Sequence, residues 1–244
     1  MPNKLFGKTV ILTGSSVVKS AIQLIEQHGG RAVHFPLIKI AETVSSADYA
    51  RLQRIVGYDW LIFTSQNAVE SFLAKCTRHK YEVPVTIKIA AVGEKTAQLL
   101  NKAGLTVHFM PTIYSADVFV REFQLAPGER ALFLRGSMAK STIREGTGAD
   151  EWTVYETQPC LEHITALDGC IVSSKEPIVV FASPSAVDVY AAEIASNIDW
   201  HYVKVASIGH ITTAALQKYG VTPYIQPTIY TIQAVIEQLI LEEH

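Results

Sequence analysis

The chain has 244 residues, 48% hydrophobic and 18% charged, and a formal net charge of −2. That length holds one large domain or two of about 100 residues each. Near-neutral charge with scattered Lys and Arg argues against a nucleic-acid surface, so any anion must be held locally.

Cys76, Cys160 and Cys170 are odd in number and form no C-x-x-C pair, which fits reduced thiols in a cytosolic protein. The histidines form no H-x-x-x-H or H-x-x-E-H pattern, and no metal site is expected. The segment from Met1 to Lys8 lacks the apolar core of a signal peptide, and no run approaches the roughly 20 apolar residues of a membrane span. A soluble, cytoplasmic protein is expected.

In chain order, short β-branched runs alternate with amphipathic ones. Strands are predicted over Val10–Thr13, Ala32–Ile40, Trp60–Thr64, Ile87–Val92 and Val107–Met110, and helices over Ser20–His28, Ala47–Val56, Ala68–Lys75, Glu94–Lys102 and Ala116–Phe123. Such alternation predicts an α/β fold with a parallel sheet flanked by helices. Gly29 and Gly104 stand where helices end, and Ser183-Pro184 reads as an N-cap with Pro at the first helical position. Ser115 and Thr231 are predicted caps as well, with Tyr114 near Phe119 and Tyr230 near Val235 as hydrophobic staples.

The chain repeats itself. The string from Val92 to Tyr114 lies without a gap over that from Ile208 to Tyr230, through Gly93/Gly209, Thr96/Thr212, Leu100/Leu216, Gly104/Gly220 and a shared P-T-I-Y. Upstream, L-I-F-T-S-Q-N-A-V from Leu61 matches V-V-F-A-S-P-S-A-V from Val179, and K-T-V-I-L-T-G-S from Lys8 matches R-A-L-F-L-R-G-S from Arg130. Matches in order with slowly drifting offsets mean a duplication with small loop insertions, and units of this size are domains rather than solenoid repeats.

Ligands of parallel sheets bind beyond the C-terminal strand ends. The predicted turns there are small or polar: Thr13-Gly14-Ser15-Ser16, Thr64-Ser65-Gln66-Asn67, Gly93-Glu94, Arg135-Gly136-Ser137, Ala182-Ser183-Pro184-Ser185 and Gly209-His210. Most open a helix whose first N–H groups have no intrahelical partner, so each is a candidate socket for a carboxylate or phosphate. Small residues are also ordinary in such turns, and only their duplication favours the functional reading. Gly7-Lys8-Thr9 lacks the upstream glycine of a phosphate loop, and no G-x-S-x-G elbow is present.

F-T-S-Q-N-A-V, A-V-G-E-K-T-A, L-F-L-R-G-S, V-Y-E-T-Q-P, F-A-S-P-S-A-V and I-G-H-I-T-T-A-A-L resemble, in order and across nearly the whole chain, the successive blocks of the uroporphyrinogen-III synthase family. The resemblance implies two flavodoxin-like lobes joined by a two-stranded linker. One lobe would comprise 1–37 with 158–244, the other 39–157, with the active site in the cleft between them. It also implies a monomer with no cofactor that closes linear hydroxymethylbilane into uroporphyrinogen III, losing water and inverting ring D through a spiro-pyrrolenine. Transient contact with the preceding pathway enzyme is a further expectation, and neither nucleic acid nor membrane is expected as a partner.

By matching position, Tyr155 is the family's tyrosine before the linker and the candidate for assisting hydroxyl departure. Phenols keep their proton at neutral pH and can donate it in a hydrogen bond. Thr64, Ser65, Asn67, Thr96, Ser183, Gly209 and Thr212 are the implied substrate-binding residues, through hydroxyls and backbone N–H groups. Many relatives carry Arg-Pro directly after the first strand. Here Thr13 is followed by Gly14, Arg135 stands at the matching place in the second copy, and the lost anion contact is expected to be absent or moved to Lys19. That departure favours an alternative, a non-catalytic tetrapyrrole-binding relative, which the retained Tyr155 opposes.

Overall fold

A computed structural model describes residues 3–16 and 18–243. Met1, Pro2, Val17 and His244, which the expected first lobe includes, lie outside the described residues. In chain order the elements are β1 (Lys8–Leu12), α1 (Lys19–Gln27), β2 (Arg31–His34), β3 (Ile38–Glu42), α2 (Asp48–Arg54), β4 (Trp60–Phe63) and α3 (Gln66–His79). Then come β5 (Lys88–Ala91), α4 (Glu94–Lys102), β6 (Val107–Phe109), α5 (Ala116–Glu122), β7 (Ala131–Gly136), α6 (Thr142–Thr147) and β8 (Asp150–Pro159). The rest are α7 (Ile164–Ser173), β9 (Glu176–Phe181), α8 (Pro184–Glu193), β10 (Lys204–Ser207), α9 (His210–Gln217) and α10 (Ile232–Glu242). No helix among the described residues is long and apolar enough to cross a membrane.

The chain divides into two compact units, one of Met1–Lys39 with Gln158–His244 and one of Ile40–Thr157. In the first unit the strand order is β10-β9-β1-β2, all parallel, and Ile225 adds a parallel bridge to Ala206 at the β10 edge. The second sheet runs β3-β8-β7-β4-β5-β6, parallel from β8 to β6.

These orders explain the duplication. Sequence matching pairs β1 with β7, β9 with β4, and β10 with β5. Substituting one for the other turns β1-β9-β10 into β7-β4-β5, and β2 beside β1 holds the place of β8 beside β7, so these four strands run in one order in both sheets. The first unit therefore combines β1 and β2 of one sequence copy with β9 and β10 of the other, and the second combines β4 and β5 of the first copy with β7 and β8 of the second. In both sheets the order reverses at the same place, between β1 and β9 and between β7 and β4, which is where parallel sheets bind ligands.

Strands covered on both faces read as near-continuous apolar runs, and β1 is buried throughout. Alternation splits each strand between two cores. Ile11, Val179 and Val205 pack into one cluster of the first unit, and Val10, Ile178, Val180 and Ala206 into the other. In the second unit Leu61, Phe63, Ile89 and Leu134 face one cluster, and Ile62, Ala90 and Phe133 the other.

Helix ends follow the predicted chemistry. The predicted caps Ser115, Ser183 and Thr231 each accept the N–H three residues on, as Ser65 also does, and Gly29 and Gly104 end their helices at φ +78° and +82°. The predicted strand Ala32–Ile40 is corrected: it is β2 and β3, separated by Phe35-Pro36-Leu37. Pro36 has no N–H to give a ladder, while Phe35 and Leu37 turn theirs toward Leu12 and Thr13.

Candidate active site

In the second unit the strand ends beyond β8, β7, β4 and β5 stand side by side. Thr64 and Ser65 leave β4 half-buried. Ser65 is extended, with φ −151° and ψ 152°, which aims its Oγ at the first turn of α3, where it accepts the Ala68 N–H at 3.2 Å. Asn67 follows in that turn. Thr96 is the third residue of α4, 5% exposed, and with Gly93, Glu94, Lys95 and Tyr114 it lines a pocket of about 320 Å³.

Tyr155 comes from β8. A register shift sets Thr153 opposite Arg135 but Tyr155 opposite Gly136, and the Ser137 N–H donates to the Tyr155 carbonyl at 3.0 Å. Such an extra residue bends a strand and re-aims its side chain. The phenol consequently lies over Gly136: a Cβ there would stand 2.3 Å from Cζ and 2.6 Å from the hydroxyl oxygen. Only the missing side chain lets the ring cross the end of β7. Beyond it the Tyr155 hydroxyl is 3.2 Å from Ser65 Oγ, at the point where the strand order reverses.

Arg135, matched to Thr13, is engaged locally. Its guanidinium donates to Glu151 at 2.5 Å, to the Gly136 carbonyl at 3.2 Å and to the Ala139 carbonyl. In the first unit Thr13 is buried, its hydroxyl donating to the Val180 carbonyl at 2.8 Å. Lys19, the expected replacement for the missing Arg, is exposed at the start of α1.

Ser183 and Gly209 occupy the neighbouring strand ends of the first unit, linked by the Ile208 N–H to the Phe181 carbonyl at 3.0 Å. Ser183 caps α8 by accepting the Ala186 N–H at 3.3 Å. Gly209 opens α9, and Thr212, the third residue of that helix, is 2% exposed. The ring of Tyr230 lies against Gly209, where an added Cβ would be 2.7 Å from Tyr230 Cδ1. Its hydroxyl is 2.9 Å from His210 Nδ1.

The structure thus brings Ser65 and Tyr155 together, and sets Thr64, Asn67 and Thr96 in the turns beside them. Ser183, Gly209 and Thr212 form a second set on the other unit. Three residues near these strand ends make contacts that the sequence pattern does not indicate. Gly136 seats the phenol, His210 meets Tyr230, and His34 on β2 donates through Nε2 to the Gly14 carbonyl at 2.7 Å. The paired G-S of the two copies is the one sequence signal that marks Gly136.

Comparison with known proteins bears on this geometry. A family model described as uroporphyrinogen-III synthase HemD matches residues 19–237. The uroporphyrinogen-III synthase of Chlorobaculum parvum is 30% identical over 235 residues, covering 91% of this chain and 94% of that protein. A putative uroporphyrinogen-III synthase of Methanothermobacter thermautotrophicus is 28% identical, covering 90% and 92%. Among solved structures, Helicobacter pylori uroporphyrinogen-III synthetase aligns with TM-score 0.66 at 19% identity, over 96% of this chain and 99% of that one. A mutant uroporphyrinogen III synthase of Thermus thermophilus aligns with TM-score 0.66 at 15% identity, over 97% and 99%. At those identities the structural likeness speaks to the fold, and the family match and the 30% relative to descent. The chain belongs to the uroporphyrinogen-III synthase family.

Proposed function

We propose that this protein closes hydroxymethylbilane into uroporphyrinogen III, as a lyase of haem biosynthesis, and that Tyr155 is its catalytic residue. The observation that carries this reading is the seat of the Tyr155 hydroxyl, across Gly136 and 3.2 Å from Ser65 Oγ at the reversal of strand order.

The chemistry asks for one hydrogen-bond donor and much positioning. The phenol donates toward the hydroxyl of the substrate's terminal hydroxymethyl group. The carbon–oxygen bond breaks as the adjacent pyrrole supplies electrons, and the departing hydroxide takes the phenol's proton and leaves as water; the azafulvene cation left behind later loses a pyrrole proton after ring closure, which restores the phenol. The substituted carbon of ring D must then attack the methylene carbon of that cation, giving the spiro intermediate. Holding the chain ends in that geometry is catalysis by proximity, helped by a weak acid.

Thr64, Ser65, Asn67 and Thr96, and in the first unit Ser183, Gly209 and Thr212, are proposed to bind acetate and propionate groups of the substrate. Hydroxyls and first-turn N–H groups supply the contacts, which accounts for a polyanionic substrate on a chain with net charge −2. A capping serine satisfies one N–H and leaves others for a ligand. On the same reading the protein works in the cytoplasm, where its three free cysteines stay reduced, and receives substrate through transient contact with the preceding enzyme. No finding supports a non-catalytic binding protein.

Incubation with freshly made hydroxymethylbilane, resolving isomers I and III, tests the reading. The III isomer is expected ahead of the spontaneous background; isomer I alone, at the rate seen without protein, overturns it.

A further inference from the structure

β8 ends at Pro159, and the next residues turn into α7. The Cys160 N–H donates to the Leu37 carbonyl at 2.9 Å, and the residue is 5% exposed. His163, the cap position of α7, is half-buried with its ring 6.3 Å from that of Phe35. Glu162 lies outermost, and its carboxylate pairs with Lys39 at 3.1 Å. One ligand atom from each of Cys160, Glu162 and His163 lies within 4.8 Å of the other two.

We propose that Cys160, Glu162 and His163 form a binding site for a divalent transition metal of the zinc class, with a water in the fourth position. Zinc bonds to thiolate, imidazole and carboxylate, at about 2.0–2.3 Å in a tetrahedron, set the donor atoms roughly 3.3–3.6 Å apart. Rotation of the exposed Glu162 and half-buried His163 side chains closes the remaining gap around a fixed Cys160. A sulfur and an imidazole nitrogen select against magnesium and calcium, which take oxygen. On binding, the thiol proton passes to solvent as the sulfur–metal bond forms, and Glu162 exchanges Lys39 for the metal. No oxidation state changes. The bound ion would tie the end of β8 to the start of α7, a structural role outside the cyclisation chemistry. A search for histidine pairs one helical turn apart misses this C-x-E-H spacing.

Titration of metal-free protein with cobalt(II), followed by its thiolate-to-metal charge-transfer absorption and then by zinc displacement, decides the matter. One cobalt per chain is expected, with the band absent in Cys160→Ser and affinity about tenfold weaker in Glu162→Gln, a loss of about 1.4 kcal/mol. Lys39→Met, which removes the competing ammonium, tightens binding, and zinc raises the Tm of the wild type. A folded wild type with no band, or a band that survives Cys160→Ser, overturns the site. If Cys160→Ser does not fold, Glu162→Gln decides, since unchanged affinity at that exposed position contradicts the proposal.

Discussion

Tyr155 and Ser65 meet hydroxyl to hydroxyl at 3.2 Å, across a glycine that belongs to the strand between theirs. Ser65 has two tasks in that arrangement. It caps α3 by accepting the Ala68 N–H, and it fixes where the phenol hydroxyl stops. Gly136 has one, which is to offer no side chain.

Gly136→Ala should therefore behave as a displaced Tyr155. A Cβ 2.3 Å from Cζ forces the ring out, and such overpacking costs about 1–3 kcal/mol. Urea melts should register that loss, and kcat should fall as far as in Tyr155→Phe. Combining the two substitutions should cost little further activity, because coupled sites are not additive. Full additivity in kcat would separate the glycine from the phenol.

Ser65→Ala and Ser183→Ala remove the same kind of cap from different units, and each should cost about 0.5–2 kcal/mol in denaturant melts. Both should raise KM, since both turns are proposed to bind carboxylates. Only Ser65→Ala should also lower kcat, because only Ser65 touches Tyr155. Steady-state kinetics on the pair reads that split directly.

Acid stability should depend on Glu129. Its carboxylate accepts from Lys88 at 2.8 Å, from the Ala126 N–H at 3.0 Å and from the Trp60 indole at 3.1 Å. Led by the Lys88 bond, these contacts hold its pKa down to about 2, against an ordinary 4.5. Between those values the unfolded chain binds the proton and the folded one does not. The contribution is complete above about pH 4.5 and is lost as pH falls toward 2. Glu129→Gln should flatten the stability curve within that window and leave its slope near neutrality unchanged.

Lys75 is wholly buried, 2.8 Å from Asp48 and 3.2 Å from Glu42, with Asp48 itself 1% exposed. Lys75→Met strands the Asp48 charge in the interior, at a cost of about 3–5 kcal/mol. Lys75→Met with Asp48→Asn should recover part of that, as measured by urea denaturation.

Much of this architecture is legible in the sequence for physical reasons. Buried parallel strands read as unbroken apolar runs, so β1/β7, β4/β9 and β5/β10 stand out as matched pairs. Caps such as Ser183 and Thr231 are legible because few side chains can satisfy a helix's first N–H groups. The run Ala32–Ile40 misleads because apolar residues continue through Phe35 and Leu37 while Pro36 ends the ladder. The seat of Tyr155 is not legible at all. It depends on a register shift in β8 and on an empty place in β7, a relation between strands that no local pattern encodes. The repeat marks Thr96 and Thr212, but their burial follows from helix packing that the repeat does not specify.

The most direct measurement is the turnover of Tyr155→Phe with hydroxymethylbilane, alongside far-ultraviolet circular dichroism and melting of the same sample. The substitution removes one hydroxyl from a ring that stays over Gly136, so stability should change by no more than about 1.5 kcal/mol. Formation of isomer III should slow by roughly a hundredfold or more, the scale of a lost acid catalyst, with KM little altered. A folded Tyr155→Phe protein that makes isomer III at the wild-type kcat would contradict the account.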